Sequence, residues 1–236
     1  MQQAPSSFSL SRRGLLLAAL ASGPLAAWAL PERRLEFPRD FGSHPELRTE
    51  WWYITGHAKT SAGREFGFQV TFFRSRVEAT QDMRSAFAAK HLVFAHAAIT
   101  DLEGRVLLHD QRIARAGFGV AEASTSDTDV RIRDWSLVRE NGLYLARIPA
   151  GEFALELRFT PTQPVLLQGS AGLSRKGPEE SQASYYYSEP QLKTQGRLTL
   201  KGQAFDIAGT AWLDHEWSEA LMHPEAVGWD WIGMNL

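Results

Sequence analysis

The segment from Trp212 to Trp217 (WLDHEW) holds the densest set of acidic, basic and aromatic side chains in the sequence. In a β-strand, successive side chains point to opposite faces. One face would carry Leu213, His215 and Trp217, and the other Trp212, Asp214 and Glu216. The pattern predicts a titratable imidazole on an otherwise apolar face, with two carboxylates on the opposite face unless a bulge turns them.

Three chemistries could use this segment. His215 could be a general acid or base tuned by a carboxylate. Asp214 or Glu216 could donate a proton, because burial beside tryptophan raises a carboxyl pKa. Metal binding needs three or four converging ligands, and the H-x-H and H-E-x-x-H spacings are absent, so we predict no metal. The structural alternative is a buried histidine that is hydrogen-bonded within a sheet.

A second unusual segment is Thr49–His57 (TEWWYITGH), which has three adjacent aromatic residues. As a strand it places aromatic side chains on both faces, so neither face is simply exposed to solvent. Both faces could be packed in a core, or one could line an apolar cavity. Four of the seven tryptophans after residue 29 lie between 212 and 231. We therefore predict a substrate-binding set of Trp51, Trp52, Tyr53, Trp212, Trp229 and Trp231.

Strand patterns dominate the chain that must position these residues. Residues 65–73 and 153–159 alternate apolar and polar side chains, and the second run stops at Pro161. Residues 196–202 and 205–212 form a strand–turn–strand pattern. No long stretch after residue 29 has the period of a helix. The sequence predicts an all-β fold, either an antiparallel sandwich or a barrel.

The first 29 residues have the pattern of an export signal. Arg12 and Arg13 precede an uncharged apolar run over residues 14–21, and residues 27–29 (AWA) fit an A-x-A cleavage site. The run is short for a bilayer span, so we predict a twin-arginine signal peptide and a periplasmic location. An ordinary Sec signal and a retained membrane helix are the alternatives.

Charge and cysteine content exclude several classes of function. The sequence has no cysteine, which rules out a thiolate-bound metal and a cysteine nucleophile. Its formal net charge is −2, and cleavage after residue 29 would remove two arginines and no acid, leaving a net charge of −4. This balance argues against nucleic acid or an anionic membrane surface as the main partner.

Five blocks together resemble the hydroxyneurosporene synthase (carotenoid 1,2-hydratase) and AttH family, whose members are described as lipocalin-like and as "predicted secreted hydrolase". The blocks are TEWWYITG (49–56), FGFQVTFFR (66–74), FAHA (94–97), SYYYS (184–188) and GTAWLDHEW (209–217). The resemblance covers residues 38–236 and implies two consecutive lipocalin-like β-barrel halves. We expect a signal peptide at 1–29, an N-terminal lipocalin-like domain at 30–212, and a junction with the start of an incomplete second half at 213–236.

The resemblance also implies a reaction. In the carotenoid hydratases the chemistry is associated with an H-x-W motif, matched here by His215 and Trp217, and with a Tyr and an Asp that would fall beyond Leu236. A carboxylic acid would protonate an isoprenoid double bond, tryptophan faces would stabilise the cation, and water would add, with no cofactor. We therefore predict Asp214, His215, Glu216 and Trp217 as catalytic residues.

The resemblance leaves other classes of function open. AttH-type members accompany an ABC transporter, so a non-catalytic accessory protein that binds a hydrophobic isoprenoid or lipid is the main alternative. A secreted hydrolase is a second alternative, although no G-x-S-x-G motif is present. A purely structural protein would have no cavity large enough for a ligand.

Overall fold

The computed structural model describes residues 30–220, 223 and 225–234, so the predicted signal peptide at 1–29 lies outside the described residues. The regular elements of this part are strands and two short 3-10 helices, Arg39–Phe41 and Glu78–Thr80. The strands are β1 Thr49–Lys59, β2 Glu65–Arg76, β3 His91–Asp101, β4 Val106–Arg115, β5 Ala121–Ala123, β6 Asp129–Ile132, β7 Trp135–Glu140, β8 Leu143–Pro149, β9 Phe153–Thr160, β10 Leu166–Leu167, β11 Leu173–Arg175, β12 Ala183–Leu200 and β13 Gln203–Ser218. Within the described ranges, no helix has the length and apolarity needed to span a membrane.

All strands belong to one antiparallel sheet in the order β4-β3-β2-β1-β13-β12-β9-β8-β7-β6-β5, with β10 and β11 paired to β12. The sheet curls until β3 and β4 approach β5 and β6. The result is a nearly closed barrel of 11 strands, which confirms the predicted all-β, lipocalin-like antiparallel fold.

Strict alternation fills the barrel interior. Along β2, Phe66, Phe68, Val70 and Phe72 are all buried, as the sequence pattern predicts. Burying each such side chain stabilises the fold by roughly 1.5–3 kcal/mol relative to leaving it in water. Interior apolar residues of β1, β3, β9, β12 and β13 join the same core.

The two longest strands carry the chemistry. β12 and β13 form a hairpin around Lys201 and Gly202, both with positive φ, as a tight hairpin turn requires. β13 pairs with β1 from Ser218 to Ala208, and with β12 on its other side. It runs through residues 212 and 213 without a break, so residues 213–218 lie in this barrel. The second barrel half stays a prediction.

An acid site beneath a tryptophan-lined groove

The outer face of β13 presents Asp214 and Glu216 between two neighbouring strands. Glu216 lies between Trp51 of β1 and Tyr186 of β12 in the sheet register. Asp214 lies one step along, between Tyr53 and Ser188. Because residues at paired positions lie side by side on one face, the sheet brings two carboxylates into an aromatic setting.

Asp214 is almost completely buried, with 2% of its surface exposed. Its Oδ1 accepts hydrogen bonds from Ser188 Oγ at 2.6 Å and from the Trp212 indole nitrogen at 2.7 Å. Burial raises the pKa of Asp214, and these hydrogen bonds to the charged form oppose the rise. The hydrogen bond from its indole nitrogen therefore fixes the Trp212 ring beside Asp214.

Glu216 is 5% exposed and lies in the wall of a groove. The hydroxyl of Ser184 donates a hydrogen bond to Oε1, and Lys176 Nζ lies 2.8 Å from the same oxygen. Burial raises the pKa of Glu216, while the Lys176 ammonium acts against this rise. The first part of β12, before the bulge between Glu189 and Leu192, pairs with β10 and β11. Lys176 directly follows the last residue of β11, so this pairing places it near Glu216.

The groove has a volume of about 550 Å³ and lies between the sheet and residues 226–232. Aromatic side chains in its walls are Trp51, Tyr186, Trp212, Trp229 and Trp231. Trp231 packs edge-on against Tyr53 at 5.5 Å and against Trp212 at 6.2 Å between ring centroids. Gln168, Lys176, Glu216 and Asp230 add polar groups at the same groove. A wall that combines several aromatic side chains with a few polar groups is typical of a small-molecule site.

The inner face of the same two strands holds a separate polar cluster centred on Glu50. Glu50 Oε1 lies 2.7 Å from His44 Nδ1 and 3.0 Å from His215 Nε2. Arg74 Nε donates to Oε2 at 2.8 Å, and Asp40 Oδ1 lies 3.0 Å from His44 Nε2. All five side chains are buried. These hydrogen bonds hold the pKa of Glu50 well below its usual value despite its burial.

His215 has the hydrogen-bonding pattern of a neutral imidazole. Because ionised Glu50 can only accept, His215 Nε2 donates to it, and Nδ1 accepts from the Tyr187 hydroxyl at 3.1 Å. Burial lowers the pKa of His215 to about 4, against the opposing effect of Glu50. Its ring stacks on Trp52 at 4.5 Å, and the parallel ring of His44 lies 3.9 Å from Trp217.

The donor atoms of His44, Glu50 and His215 lie within 4.8 Å of one another, a spacing that a metal ion could use. One ring nitrogen of His44 and one of His215 donate to Oε1 of Glu50, while Arg74 and Ser43 donate to Oε2. Protons therefore already occupy the lone pairs that a metal would need. We interpret the cluster as a hydrogen-bonded network that ties residues 40–50 to β13.

The structure divides the predicted site residues between two faces. The outer site brings together Trp51, Tyr53, Trp212, Asp214, Glu216, Trp229 and Trp231. Trp52, His215 and Trp217 lie in the interior with no exposed surface. Trp52 therefore does not share the cavity wall predicted for it, because alternation turns it inward. The four residues predicted as catalytic do not converge on one point, because β13 is regular through 212–217.

Sequence reasoning missed several contributors to these sites, among them His44, Glu50, Lys176, Ser184 and Tyr186. Glu50 precedes the aromatic run, and alternation alone would have placed it on the face of Trp52. Pairing the two motif strands would then have put it beside His215. No local signal predicts His44 or Lys176, because both come from irregular segments whose paths depend on tertiary packing.

Comparison with known proteins gives one family. The AttH-like family profile matches residues 28–236. A crystal structure at 2.00 Å of a protein assigned as AttH from Nitrosomonas europaea is 47% identical, with a TM-score of 0.76 over 84% of this chain and 60% of that one. No curated protein matches the sequence.

A more distant structural match is kievitone hydratase from Nectria haematococca. It is 13% identical, with a TM-score of 0.60 over 83% of this chain and 53% of that chain. At this identity the likeness shows a shared fold. The chain thus spans 53–60% of the length of these two proteins.

Proposed function

Because the chain belongs to the AttH-like family, we propose that it binds an apolar, isoprenoid- or lipid-like molecule in the tryptophan-lined groove and hydrates it without a cofactor. The observation that carries the proposal is Glu216, a buried carboxyl group with a raised pKa in the wall of an aromatic groove. Proton donation requires contact with the substrate first and a suitable pKa second. Glu216 lies in the groove wall and its pKa is raised, whereas Asp214 is not among the described residues that line the groove.

The proposed reaction begins at Glu216. The protonated Glu216 carboxyl group gives its proton to one carbon of a trisubstituted double bond, and the π electrons form the new C–H bond. The other carbon becomes a tertiary cation, which the faces of Trp51 and Trp212 stabilise through cation–π attraction, by about 2 kcal/mol when desolvated. The oxygen of a water molecule bonds to the cation, and its surplus proton returns to Glu216. The product is a tertiary alcohol.

The comparisons support the reaction class only through the fold, since one protein of the same fold is named a hydratase. The carotenoid substrate implied by the resemblance is a narrower version of this proposal. The groove volume of about 550 Å³ lies within the usual range of small-molecule sites.

A non-catalytic accessory protein of an ABC transport system is the second candidate. The observation that favours it is the ion pair of Lys176 with Glu216 at 2.8 Å, which stabilises the carboxylate and so opposes proton donation. In this version the groove binds and releases its ligand unchanged.

Farnesol, a neutral prenyl alcohol, tests both candidates in water labelled with ¹⁸O. Binding is followed by quenching of tryptophan fluorescence and hydration by mass spectrometry of the recovered probe. We expect saturable binding and ¹⁸O incorporation, with Glu216→Gln keeping the binding and losing the incorporation. Glu152→Gln, at an exposed position, is the matched control and should behave as wild type. Binding without incorporation in the wild type supports the accessory function, and no saturable binding contradicts both.

We also propose that the protein is exported to the periplasm, on the basis of residues 1–29. Changing both Arg12 and Arg13 to lysine should leave the full chain uncleaved in the cytoplasmic fraction. Continued export of this variant would contradict the twin-arginine route.

A further inference from the structure

Two exposed phenylalanines form a projecting aromatic pair at one end of the barrel. Phe87 is 77% exposed and lies between β2 and β3, and Phe118 is 62% exposed and lies between β4 and β5. Their rings stack with centroids 5.7 Å apart and an interplanar angle of 10°. Exposed apolar groups gathered in one place mark interaction surfaces more often than isolated ones do.

Arg115 holds the two turns together. Its Nη2 donates a hydrogen bond to the carbonyl oxygen of Ala86 at 3.0 Å, and its guanidinium lies 4.4 Å from the centre of the Phe118 ring. Met83 and Val120 are also exposed in the same two turns. Arg115 therefore stabilises an exposed apolar surface formed by the two turns. We call this surface, residues 82–90 and 115–120, the Phe tip.

The charge of the Phe tip differs from that of the whole chain. Its two segments contain Arg84, Lys90 and Arg115 against a single acid, Asp82, whereas the chain as a whole carries a net charge of −2. Exposed apolar rings in segments with more cations than acids match the surface of an anionic bilayer, where the rings enter the acyl boundary and the cations contact phosphate groups.

The Phe tip and the tryptophan-lined groove lie at the same end of the barrel. Thr49 of β1 pairs with Ser218 on one side and Ser75 on the other, Ser75 pairs with Leu92, and Leu92 pairs with Arg115. These residues therefore form a row across five adjacent strands at this end. Trp51 and Glu216 of the groove are each two residues from this row.

We propose that the Phe tip docks the protein on anionic phospholipid membranes. Docking through this end brings the groove close to the lipid surface, from which an apolar ligand can enter it. The global negative charge repels the rest of the molecule from such a surface, so the docked orientation is set by the Phe tip. The proposal rests on residues outside the groove and is independent of the groove chemistry.

Vesicle co-sedimentation tests the proposal with the whole protein. Vesicles contain equal parts of phosphatidylglycerol and phosphatidylcholine, and phosphatidylcholine alone serves as the uncharged comparison. We expect binding to the anionic vesicles that weakens on the order of tenfold in a Phe87→Ser, Phe118→Ser double variant. The control is Leu107→Ser with Ile113→Ser, which removes two apolar side chains of β4 that are 60% and 64% exposed.

A charge variant gives a second, independent readout. Arg84→Glu with Lys90→Glu leaves both rings in place and should also weaken binding to the anionic vesicles. Unchanged circular dichroism shows that each variant is folded, and unchanged farnesol binding in free solution separates the Phe tip from the groove. Absence of wild-type binding to anionic vesicles, equal binding to both vesicle types, or an equal loss in the Leu107 and Ile113 control would overturn the proposal.

Discussion

His215 and Glu216 are neighbours in sequence and lie in different chemical settings. His215 points into the barrel and is surrounded by Glu50, Tyr187 and Trp52, so it is held neutral in a network that is already satisfied. Glu216 points outward into a groove where a ligand can reach it. At the scale of single residues, burial decides which group can exchange protons with a substrate, and it favours Glu216.

Removing the Glu50 carboxylate should destabilise the whole fold. In Glu50→Ala the buried Arg74 guanidinium and the two imidazoles lose their shared acceptor. Breaking one side of such a buried charged network costs about 3–5 kcal/mol. Urea denaturation measures the loss, with Glu152→Ala at an exposed position as the control. A loss equal to that of the control would show that the network contributes nothing.

His215 should titrate far below an ordinary histidine. Its pKa is lowered from 6.5 to about 4 by burial, so the unfolded chain binds the proton more readily between these pH values. This group therefore destabilises the fold progressively as pH falls from 6.5 towards 4. NMR of the His215 ring should give a midpoint near pH 4. A midpoint at or above 6.5 would contradict the assigned neutral role.

Hydration should fall as the pH rises. The proposed reaction needs a protonated Glu216 carboxyl group. Because the pKa of Glu216 is raised by burial, the protonated form persists to higher pH than in an exposed glutamate and is lost as the pH rises through the raised pKa. Lys176→Met removes the ammonium that favours the carboxylate, so the falling limb should move to higher pH. The pH profile of ¹⁸O incorporation checks this. A limb that stays in place or moves to lower pH would show that Lys176 does not tune Glu216.

The pair of strands β1 and β13 is the element that makes both sites. Glu50 and His215 lie on its inner face, and Trp51 and Glu216 on its outer face. A slip of one residue in this pairing would exchange the two faces and lose both sites together. The interior network therefore stabilises the register on which the groove depends.

Close approach of the two backbones should make Gly56 intolerant of substitution. A Cβ at Gly56 would lie 2.5 Å from the carbonyl oxygen of Thr210 on β13 and 2.6 Å from the Phe68 ring. Gly56→Ala should therefore cost about 1–3 kcal/mol through overpacking. Gly67→Ala on β2 is the matched control, because its nearest contact would be 3.4 Å. Thermal unfolding of both variants decides, and equal melting temperatures would contradict the close approach.

At the scale of elements, the sequence correctly predicted which face of a strand each side chain occupies, wherever the strand is regular. Alternation correctly separated Trp51 from Trp52 and His215 from Glu216. It could not predict that His44 reaches the interior, since this residue lies in a loop whose path is set by packing on Trp217. Lys176 escaped for the same reason. Trp229 and Trp231 were predicted as binding residues, but the position of residues 226–232 over β13 depends on tertiary packing and could not be predicted from local sequence.

For the whole molecule, the all-β barrel was predictable because amphipathic alternation recurs along the chain and helical periodicity is lacking. Local charge was less predictable. The net charge of −2 argues against an anionic surface as a main partner, yet the Phe tip concentrates cations beside exposed rings. Composition averages over a surface, whereas binding depends on the groups that face one way.

The measurement that tests the central claim most directly is photo-crosslinking with a farnesol analogue that carries a diazirine. Labelled peptides identified by mass spectrometry should include Trp51, Trp212 and residues 226–232, and unlabelled farnesol should compete for these positions. Label that does not saturate, or that falls on the exposed face of β4 around Leu107 and Ile113 instead, would contradict a ligand site in the groove.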